Sequence, residues 1–423
     1  MKKTVLVRGP VHTQSGYGEH TRFVLRALRR QEEYLDINIV PTNWGATGWR
    51  AEDTEERRWI DERIATTATR LSRNEPFDIS IQVTIPNEWE RISPINIGVT
   101  AGIESNRVSA EWLQKANMMD KVITISEHSK LGFTSVSYTG TNDATGEQQV
   151  LKCTSPVEIS HYPVKTFESL PSLELGLDYD FNYLAIAQLG PRKNLENMIK
   201  WFVEENFDQE VGLVVKTSIK NNSIVDRSYT EDIIRSVAGT DVDRKCKVYL
   251  LHGDLTSEQI HSLYLHPQIK CMVSTTHGEG FGLPLFEAAY SGLPIVAPGY
   301  SGQCDFLYMP TKSKTKKKKS TKKPFFAEID FTMGPIGAHA VWPGVLEEGT
   351  MWAHPTEASF KKRIRQVRKD YNKWLKKSTQ LKEWVCEEFE SEKMHEKLSS
   401  MLYKVDPEVA EWMQELEEMV AID

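Results

Sequence analysis

Two glutamates, Glu279 and Glu287, stand eight positions apart in residues 277–287. The apolar run 271–273 before them predicts a buried strand, and the apolar run 293–297 after them predicts the next strand. In an open parallel sheet, ligands bind beyond the carboxyl ends of the strands. The spacing therefore places both carboxylates at the ligand-binding edge of a predicted sheet.

The residues around the two glutamates favour a tight turn that opens a helix. Three glycines allow the backbone to turn sharply and to approach a ligand closely. They are Gly278, Gly280 and Gly282. Pro284 suits the first position of a helix, because proline lacks the N–H that this position leaves unpaired. The helix is predicted to end at Gly292, with Glu287 in its first turn.

A helix that begins beside such a loop favours an anionic ligand. Its free N–H groups and its dipole attract a diphosphate to the N-terminus. A carboxylate in the first turn, Glu287, can accept hydrogen bonds from a ribose diol, and Glu279 on the loop can hold sugar hydroxyls. The alternative is that both glutamates are solvated, because acids are common near helix N-termini.

The sequence around the glutamates resembles the Glu-x7-Glu signature of family 4 glycosyltransferases. The resemblance is carried by Gly-Phe-Gly-Leu-Pro at 280–284 and by Ala-Ala-Tyr-Ser-Gly-Leu-Pro at 288–294, and it extends from residue 8 to about residue 371. It implies an α/β protein with the GT-B fold. Two Rossmann-like domains then face each other across a cleft, and C-terminal helices cross back to the first domain.

The resemblance also implies an activity. A member of this family is a hexosyl- or pentosyltransferase that moves a sugar from a nucleoside diphosphate sugar to an acceptor hydroxyl with retention of configuration. It uses no metal and no cofactor beyond the nucleotide sugar. Two Asp-x-Asp triplets, at 178–180 and 241–243, follow no apolar strand, so they are expected to be surface acids rather than a metal site.

The run Ala187–Asn194 is where the family carries its cations for the diphosphate. Lys193 matches the family lysine, whereas Gln188 stands where the family usually has arginine. Fixed cations stabilise the charge that develops on a diphosphate leaving group. Arg192 can compensate for Gln188 if the loop turns its side chain inward.

The same resemblance assigns further site residues. Glu279 and Glu104 are implied to meet the donor sugar or the acceptor, so they join Lys193 and Arg192 as catalytic candidates. The implied donor-binding residues are Gly16, Gly18, Lys216, Gly253, Gly280, Phe281, Gly282, Leu283 and Glu287.

Length and pattern divide the chain into two parts. A chain of 423 residues exceeds what one core usually serves. Strands and helices alternate in residues 1–175, which form the expected acceptor-side domain, joined by a C-terminal helix at about 401–423. Residues 176–400 form the expected nucleotide-sugar domain, with a lysine-rich insertion at 311–324.

Composition favours a cytoplasmic enzyme. Five scattered cysteines without Cys-x-x-Cys spacing fit a reducing compartment. We also expect no signal peptide and no transmembrane segment. The net charge is −7, yet Lys312–Lys323 holds eight lysines and no acid. This insertion cannot form a packed core, and it is suited to weak, salt-dependent attraction of a nucleic acid or another polyanion.

The acceptor is left open among glycan, lipid, metabolite, protein and DNA. One alternative keeps the enzyme but has Lys312–Lys323 hold DNA, so that a modified base is glycosylated, as some viral enzymes do. A second alternative is a non-catalytic polyanion-binding protein of the same fold, which Gln188 favours. A third, a sugar-nucleotide epimerase, is disfavoured by the segment 280–284.

Overall fold

The computed structural model describes residues 2–141, 146–311 and 321–405. Its first half forms a six-stranded parallel sheet in the order β2-β1-β3-β4-β5-β8. The strands up to this point are β1 (Lys3–Gly9), β2 (Leu35–Pro41), β3 (Ile79–Val83), β4 (Ile95–Val99), β5 (Lys121–Thr124), β6 (Ser137–Thr141), β7 (Gln148–Lys152) and β8 (Val157–Ile159). Strands β6 and β7 form a separate antiparallel pair.

Four helices cover the first sheet: α1 (Gly16–Arg29), α2 (Glu55–Ser72), α3 (Ala110–Ala116) and α4 (Glu127–Thr134). Helix α1 begins at Gly16 because Ser15 caps it: the Ser15 Oγ accepts a hydrogen bond from Gly18 N at 3.0 Å.

The second half forms another six-stranded parallel sheet, in the order β11-β10-β9-β12-β13-β16. Its strands and the pairs beside it are β9 (Asn182–Ile186), β10 (Gly212–Lys216), β11 (Lys247–Leu251), β12 (Ile269–Val273), β13 (Ile295–Pro298), β14 (Tyr308–Thr311), β15 (Thr321–Pro324), β16 (Ala327–Ile329), β17 (Phe331–Pro335) and β18 (Met351–Pro355). Strands such as β9 and β12 are buried almost throughout, as parallel strands covered on both faces must be. The two sheets confirm the GT-B prediction, and the proposed boundary between 175 and 176 falls between them.

The remaining helices are α5 (Leu195–Asn206), α6 (Ile224–Ala238), α7 (Ser257–Leu265), α8 (Leu283–Ser291), α9 (Cys304–Leu307), α10 (Glu357–Lys369), α11 (Tyr371–Glu388) and α12 (Ser391–Leu402). Helix α11 packs on α8 of the second domain, whereas α12 packs on α1 of the first. Arg30 and Glu392 form an ion pair between α1 and α12. The C-terminal helices therefore cross back as predicted, although the crossing helix ends at Leu402 and residues 406–423 lie outside the described residues.

The ends of the lysine-rich insertion form a hairpin stem. Strands β14 and β15 pair antiparallel, with Thr311 opposite Thr321. Residues 312–320 lie outside the described residues. Within the part of the chain that the structure describes, no helix combines the length and the apolar character needed to cross a membrane.

Candidate active site

A cleft of about 580 Å³ lies between the two domains. Both domains supply its walls, and every residue proposed for the site lines it except Gly18. Gly18 is buried in α1, where a Cβ atom would overlap the carbonyl oxygen of Thr13. Gly18 therefore lets α1 pack against the preceding loop. Gly16, in contrast, has open space where a Cβ would stand and faces the cleft.

Four charged side chains meet at the interdomain contact. Glu279 accepts hydrogen bonds from Lys193 Nζ at 2.6 and 2.8 Å and from Arg192 Nη1 at 3.0 Å. Arg192 Nη2 also lies 3.2 Å from Glu104 Oε1 of the first domain. The cluster thus joins the four catalytic candidates and ties the two domains together.

Neighbouring charges decide how this cluster is ionised. Burial opposes ionisation of Glu279, but the cations of Lys193 and Arg192 outweigh it and lower the pKa of this carboxyl to about 2. Burial and the neighbouring Arg192 lower the pKa of the Lys193 ammonium. Glu279 is therefore a carboxylate throughout the physiological range, able to accept hydrogen bonds but not to donate a proton.

The short helix α8 follows the glycine turn as its sequence predicts. Gly282 has φ +94° and ends the turn, and Gly292 has φ +81° just after the helix. Leu283 occupies the first helical position and Pro284 the second, so the predicted position of Pro284 is wrong by one residue. Because the helix begins at Leu283, one residue earlier than predicted, Glu287 is its fifth residue and lies one residue beyond the first turn.

Gly278 and Gly280 allow close contact between the two domains. A Cβ at Gly278 would overlap the carbonyl oxygen of Glu104, and a Cβ at Gly280 would overlap that of Ala101. Both carbonyls belong to the first domain. The prediction that these glycines let the backbone approach a ligand is incomplete, because the surface that excludes a side chain is the other domain.

We expect Gly280→Ala to destabilise the protein by about 1–3 kcal/mol, because the added methyl group must push the domains apart or distort the loop. Urea unfolding followed by circular dichroism measures the change. Gly140→Ala is the matched control, since a Cβ at Gly140 meets nothing within 4 Å. Equal stability of Gly280→Ala and the wild type would contradict the described packing.

Glu287 lies on the cleft wall formed by α8. Its Oε2 accepts a hydrogen bond from the buried Tyr264 hydroxyl at 3.0 Å. Burial raises the pKa of Glu287 above the ordinary value, and the opposing effects of Lys165 and Tyr264 are smaller. The Tyr264 hydrogen bond therefore orients the Glu287 carboxyl group at the cleft wall.

The ends of β10 and β11 supply another part of the cleft wall. Lys216 Nζ donates a hydrogen bond to the Gly253 carbonyl at 2.7 Å, and burial lowers the pKa of Lys216. Gly253 has φ +111°, which side chains rarely allow. His252 does not line the cleft. It pairs with buried Asp226, Nε2 to Oδ2, at 2.8 Å.

Gln188 stands at the position where the family resemblance implies an arginine, and Arg192 lies nearby in the structure. Gln188 is exposed at the cleft, and its amide donates a hydrogen bond to the Ile219 carbonyl at 2.8 Å. Arg192, four residues later, is turned inward onto the Gly278 carbonyl at 2.7 Å and onto Glu279. A guanidinium therefore lies beside Lys193, supplied by position 192 rather than by position 188.

Sequence reasoning missed a second charged network on the first-domain wall. Glu19 lies 3.0 Å from Arg22, 3.2 Å from Arg26 and 3.2 Å from Lys165. These cations outweigh the cost of burial and hold the pKa of Glu19 well below its usual range. The part of this network that lies on α1 could have been predicted from the sequence, because Glu19, Arg22 and Arg26 share one helix face.

The two domains also meet at the carboxylate of Asp305, whose side chain is 9% exposed. Its Oδ2 accepts a hydrogen bond from Glu127 N at 2.9 Å and lies 2.9 Å from His161 Nε2. Neither Asp-x-Asp triplet lines the cleft, and Asp178 instead pairs with Lys247 at 2.8 Å. Among the described residues, no group of three or more His, Cys, Asp or Glu is arranged to hold a metal ion.

Solved structures show where this architecture recurs. Anabaena HepE, solved in complex with UDP and glucose, aligns with a TM-score of 0.59 and 12% identity over 95% of this chain and 99% of its own. Sucrose-phosphate synthase from Thermosynechococcus elongatus aligns with a TM-score of 0.57 and 12% identity over 100% of both chains. The E. coli trehalose-6-phosphate structure bound with UDP-2-fluoro glucose aligns with a TM-score of 0.55 and 9% identity over 96% and 100%. At these identities the likeness shows the fold.

Sequence comparison identifies the second domain. Residues 178–309 match the family model described as glycosyl transferases group 1. No curated protein matches the sequence. The narrower assignment to family 4 stays a prediction. The chain is a glycosyltransferase with the GT-B fold, and its second domain carries the group 1 family model.

Proposed function

We propose that the protein moves a sugar from a nucleoside diphosphate sugar to an acceptor hydroxyl, with retention of configuration and without a metal ion. The observation that carries the proposal is the cluster of Glu279, Lys193 and Arg192 in the interdomain cleft, with Glu287 on α8 of the same cleft. Cations for a diphosphate and carboxylates for hydroxyl groups are then present together.

Each side chain has a role in this proposal. Lys193 and Arg192 bind the diphosphate with the donor hydrogens that Glu279 leaves free. Glu279, with the backbone near Phe281 and Gly282, accepts hydrogen bonds from the donor sugar. Glu287 accepts hydrogen bonds from the ribose diol. Anabaena HepE and the E. coli structure hold UDP or a UDP sugar, so we propose a UDP sugar as the donor to test first.

The transfer step balances without a protein nucleophile. The bond between the anomeric carbon and the diphosphate oxygen breaks as the acceptor oxygen bonds to the same carbon from the same face. The departing phosphate takes the acceptor's proton. Lys193 and Arg192 stabilise the negative charge that develops on this leaving group, which removes the need for a divalent cation. Glu104, paired with Arg192, faces the acceptor or the reacting sugar.

Product analysis tests this proposal. Purified protein is incubated with UDP sugars and candidate acceptors, with EDTA or with Mg²⁺, and the anomeric configuration of the product is read by proton NMR. We expect an α-linked product from an α-linked donor and equal rates with EDTA and Mg²⁺. A β-linked product would contradict retention, and activity that EDTA abolishes and Mg²⁺ restores would contradict metal independence.

Donor affinity should fall on acidification at a higher pH than an ordinary glutamate would cause. The pKa of Glu287 is raised, so protonation begins earlier as the pH falls, and a protonated carboxyl loses acceptor capacity for the ribose diol. Calorimetric titration of UDP across pH measures the effect. Glu287→Gln should bind more weakly, and this contribution to the pH dependence should be lost. An unchanged profile in that variant would assign the titration to another group.

We propose a nucleic acid or another polyanion as a partner that the lysine-rich insertion attracts. Lys322 and Lys323, the two lysines of the insertion that lie on β15, are exposed. Deleting residues 312–323 separates the alternatives. Loss of transfer to DNA alone would support base glycosylation, whereas full transfer to other acceptors would leave the insertion outside the reaction. Cytoplasmic location stays a prediction from cysteine content.

A further inference from the structure

One wall of the cleft is a fixed segment of the first domain, residues 42–50, which follows β2. Gln14 N donates a hydrogen bond to the Gly48 carbonyl at 2.9 Å, and Arg50 N donates one to the His12 carbonyl at 2.8 Å. These bonds hold the segment against the loop before α1. Side chains on it therefore stand in defined positions at the cleft.

Trp44 on this segment presents an aromatic ring to the cleft. The ring is half-buried, and its centroid lies 4.2 Å from that of Tyr17. The Tyr17 hydroxyl is 2.8 Å from Thr100 Oγ1. The next residue, Ala101, is the one whose carbonyl meets Gly280. Tyr17 therefore lies between Trp44 and residues 100–101, the second of which meets the loop that contains Gly280.

The polar side chains on this wall are balanced in charge. The polar residues of this wall that line the cleft include Gln14, Thr47, Arg50 and Glu52. Arg50 lies 2.8 Å from Glu52 and 3.7 Å from Glu56, so its charge is already matched. A phosphate or a carboxylate gains little from a cation that two carboxylates share. Hydroxyl groups, which donate and accept, suit this mixture of donors and acceptors.

We propose that this wall binds the acceptor and that the acceptor is a neutral saccharide. The apolar face of the sugar ring lies on Trp44, and its hydroxyls bond to Gln14, Thr47 and the Arg50–Glu52 pair. The inference rests on the proposed function, because the donor must occupy the opposite wall. It names the acceptor class that the activity alone leaves open.

The alternative occupant of Trp44 is the nucleotide base. Gly48 lies near the second domain, since a Cβ there would be 3.6 Å from Asp254 Oδ1. Trp44 belongs to the first domain, however, whereas the proposed diphosphate and ribose contacts, Lys193 and Glu287, belong to the second. We therefore assign the ring to the acceptor and let the experiment separate the two.

The experiment measures donor and acceptor binding separately. Calorimetry gives the donor Kd, and saturation-transfer NMR gives binding of neutral methyl glycosides and disaccharides, beside the same sugars as phosphates. Trp44→Ala should weaken saccharide binding about tenfold, with the donor Kd unchanged, and Trp44→Phe should retain part of the affinity. Trp49→Ala is the control, because Trp49 is 55% exposed, stacks on His12 and does not line the cleft.

Each result decides a different point. Saccharide binding that is unchanged in Trp44→Ala, or binding of sugar phosphates alone, would overturn the inference. Loss of donor affinity in Trp44→Ala would assign the ring to the base instead. Absence of donor binding in the wild type would count against the proposed function. The acceptor wall would still be tested in that case, because saccharide binding is measured without donor.

Discussion

Lys193→Ala should lower kcat for sugar transfer about 10²–10³-fold, the loss typical when one group that stabilises developing charge is removed. The ammonium lies 2.6 Å from Glu279, in the cluster that we assign to the diphosphate. Its charge matters most when the leaving group departs, so KM for the donor should change less than kcat. Steady-state kinetics with a UDP sugar separates the two constants.

Two further variants sharpen this test. Lys193→Arg keeps the charge but changes the geometry, so it should recover part of the rate. Lys200→Ala removes an exposed lysine from α5 and should leave the kinetics unaltered. A kcat for Lys193→Ala within twofold of the wild type would remove Lys193 from the reaction and leave Arg192 as the cation to examine.

Glu287→Ala should weaken donor binding about 10–100-fold, because a hydrogen bond to a charged group contributes about 1.5–3 kcal/mol. Glu287 lines the cleft and accepts a hydrogen bond from Tyr264, and we assign it to the ribose, so the effect should fall on the donor Kd rather than on kcat. Calorimetric titration with UDP and with UDP sugars measures it.

The control for this variant is Glu383→Ala, which removes an exposed glutamate from α11. Tyr264→Phe removes the hydrogen bond to Glu287 and should weaken donor binding by a smaller factor. An unchanged donor Kd in Glu287→Ala would place the ribose elsewhere in the cleft.

The alternation of strands and helices was predictable because parallel strands buried on both faces consist of apolar runs. Strands β3 and β10, for example, are buried along all or nearly all of their length. Helix starts were less predictable, since they depend on capping. The start of α1 at Gly16, for example, depends on the Ser15 hydroxyl, which accepts a hydrogen bond from Gly18 N.

At the site, the spacing of Glu279 and Glu287 located the cleft because both lie on one continuous strand–loop–helix unit. Contacts between distant parts of the chain were not predictable in this way. Gly278 and Gly280 looked like ligand-binding glycines, yet they meet backbone of the first domain. The pairing of Lys165 with Glu19 joins positions 146 residues apart, and no local pattern signals it.

Thermal unfolding with a panel of UDP, GDP and ADP sugars, with and without Mg²⁺, tests the central claim most directly when wild type and Glu287→Ala are compared. A ligand that binds only the folded state raises the unfolding temperature. We predict a rise with one class of nucleotide, equal with and without Mg²⁺ and reduced in Glu287→Ala. No rise with any donor, or an equal rise in the variant, would contradict the proposal that this cleft binds a nucleotide sugar through Glu287.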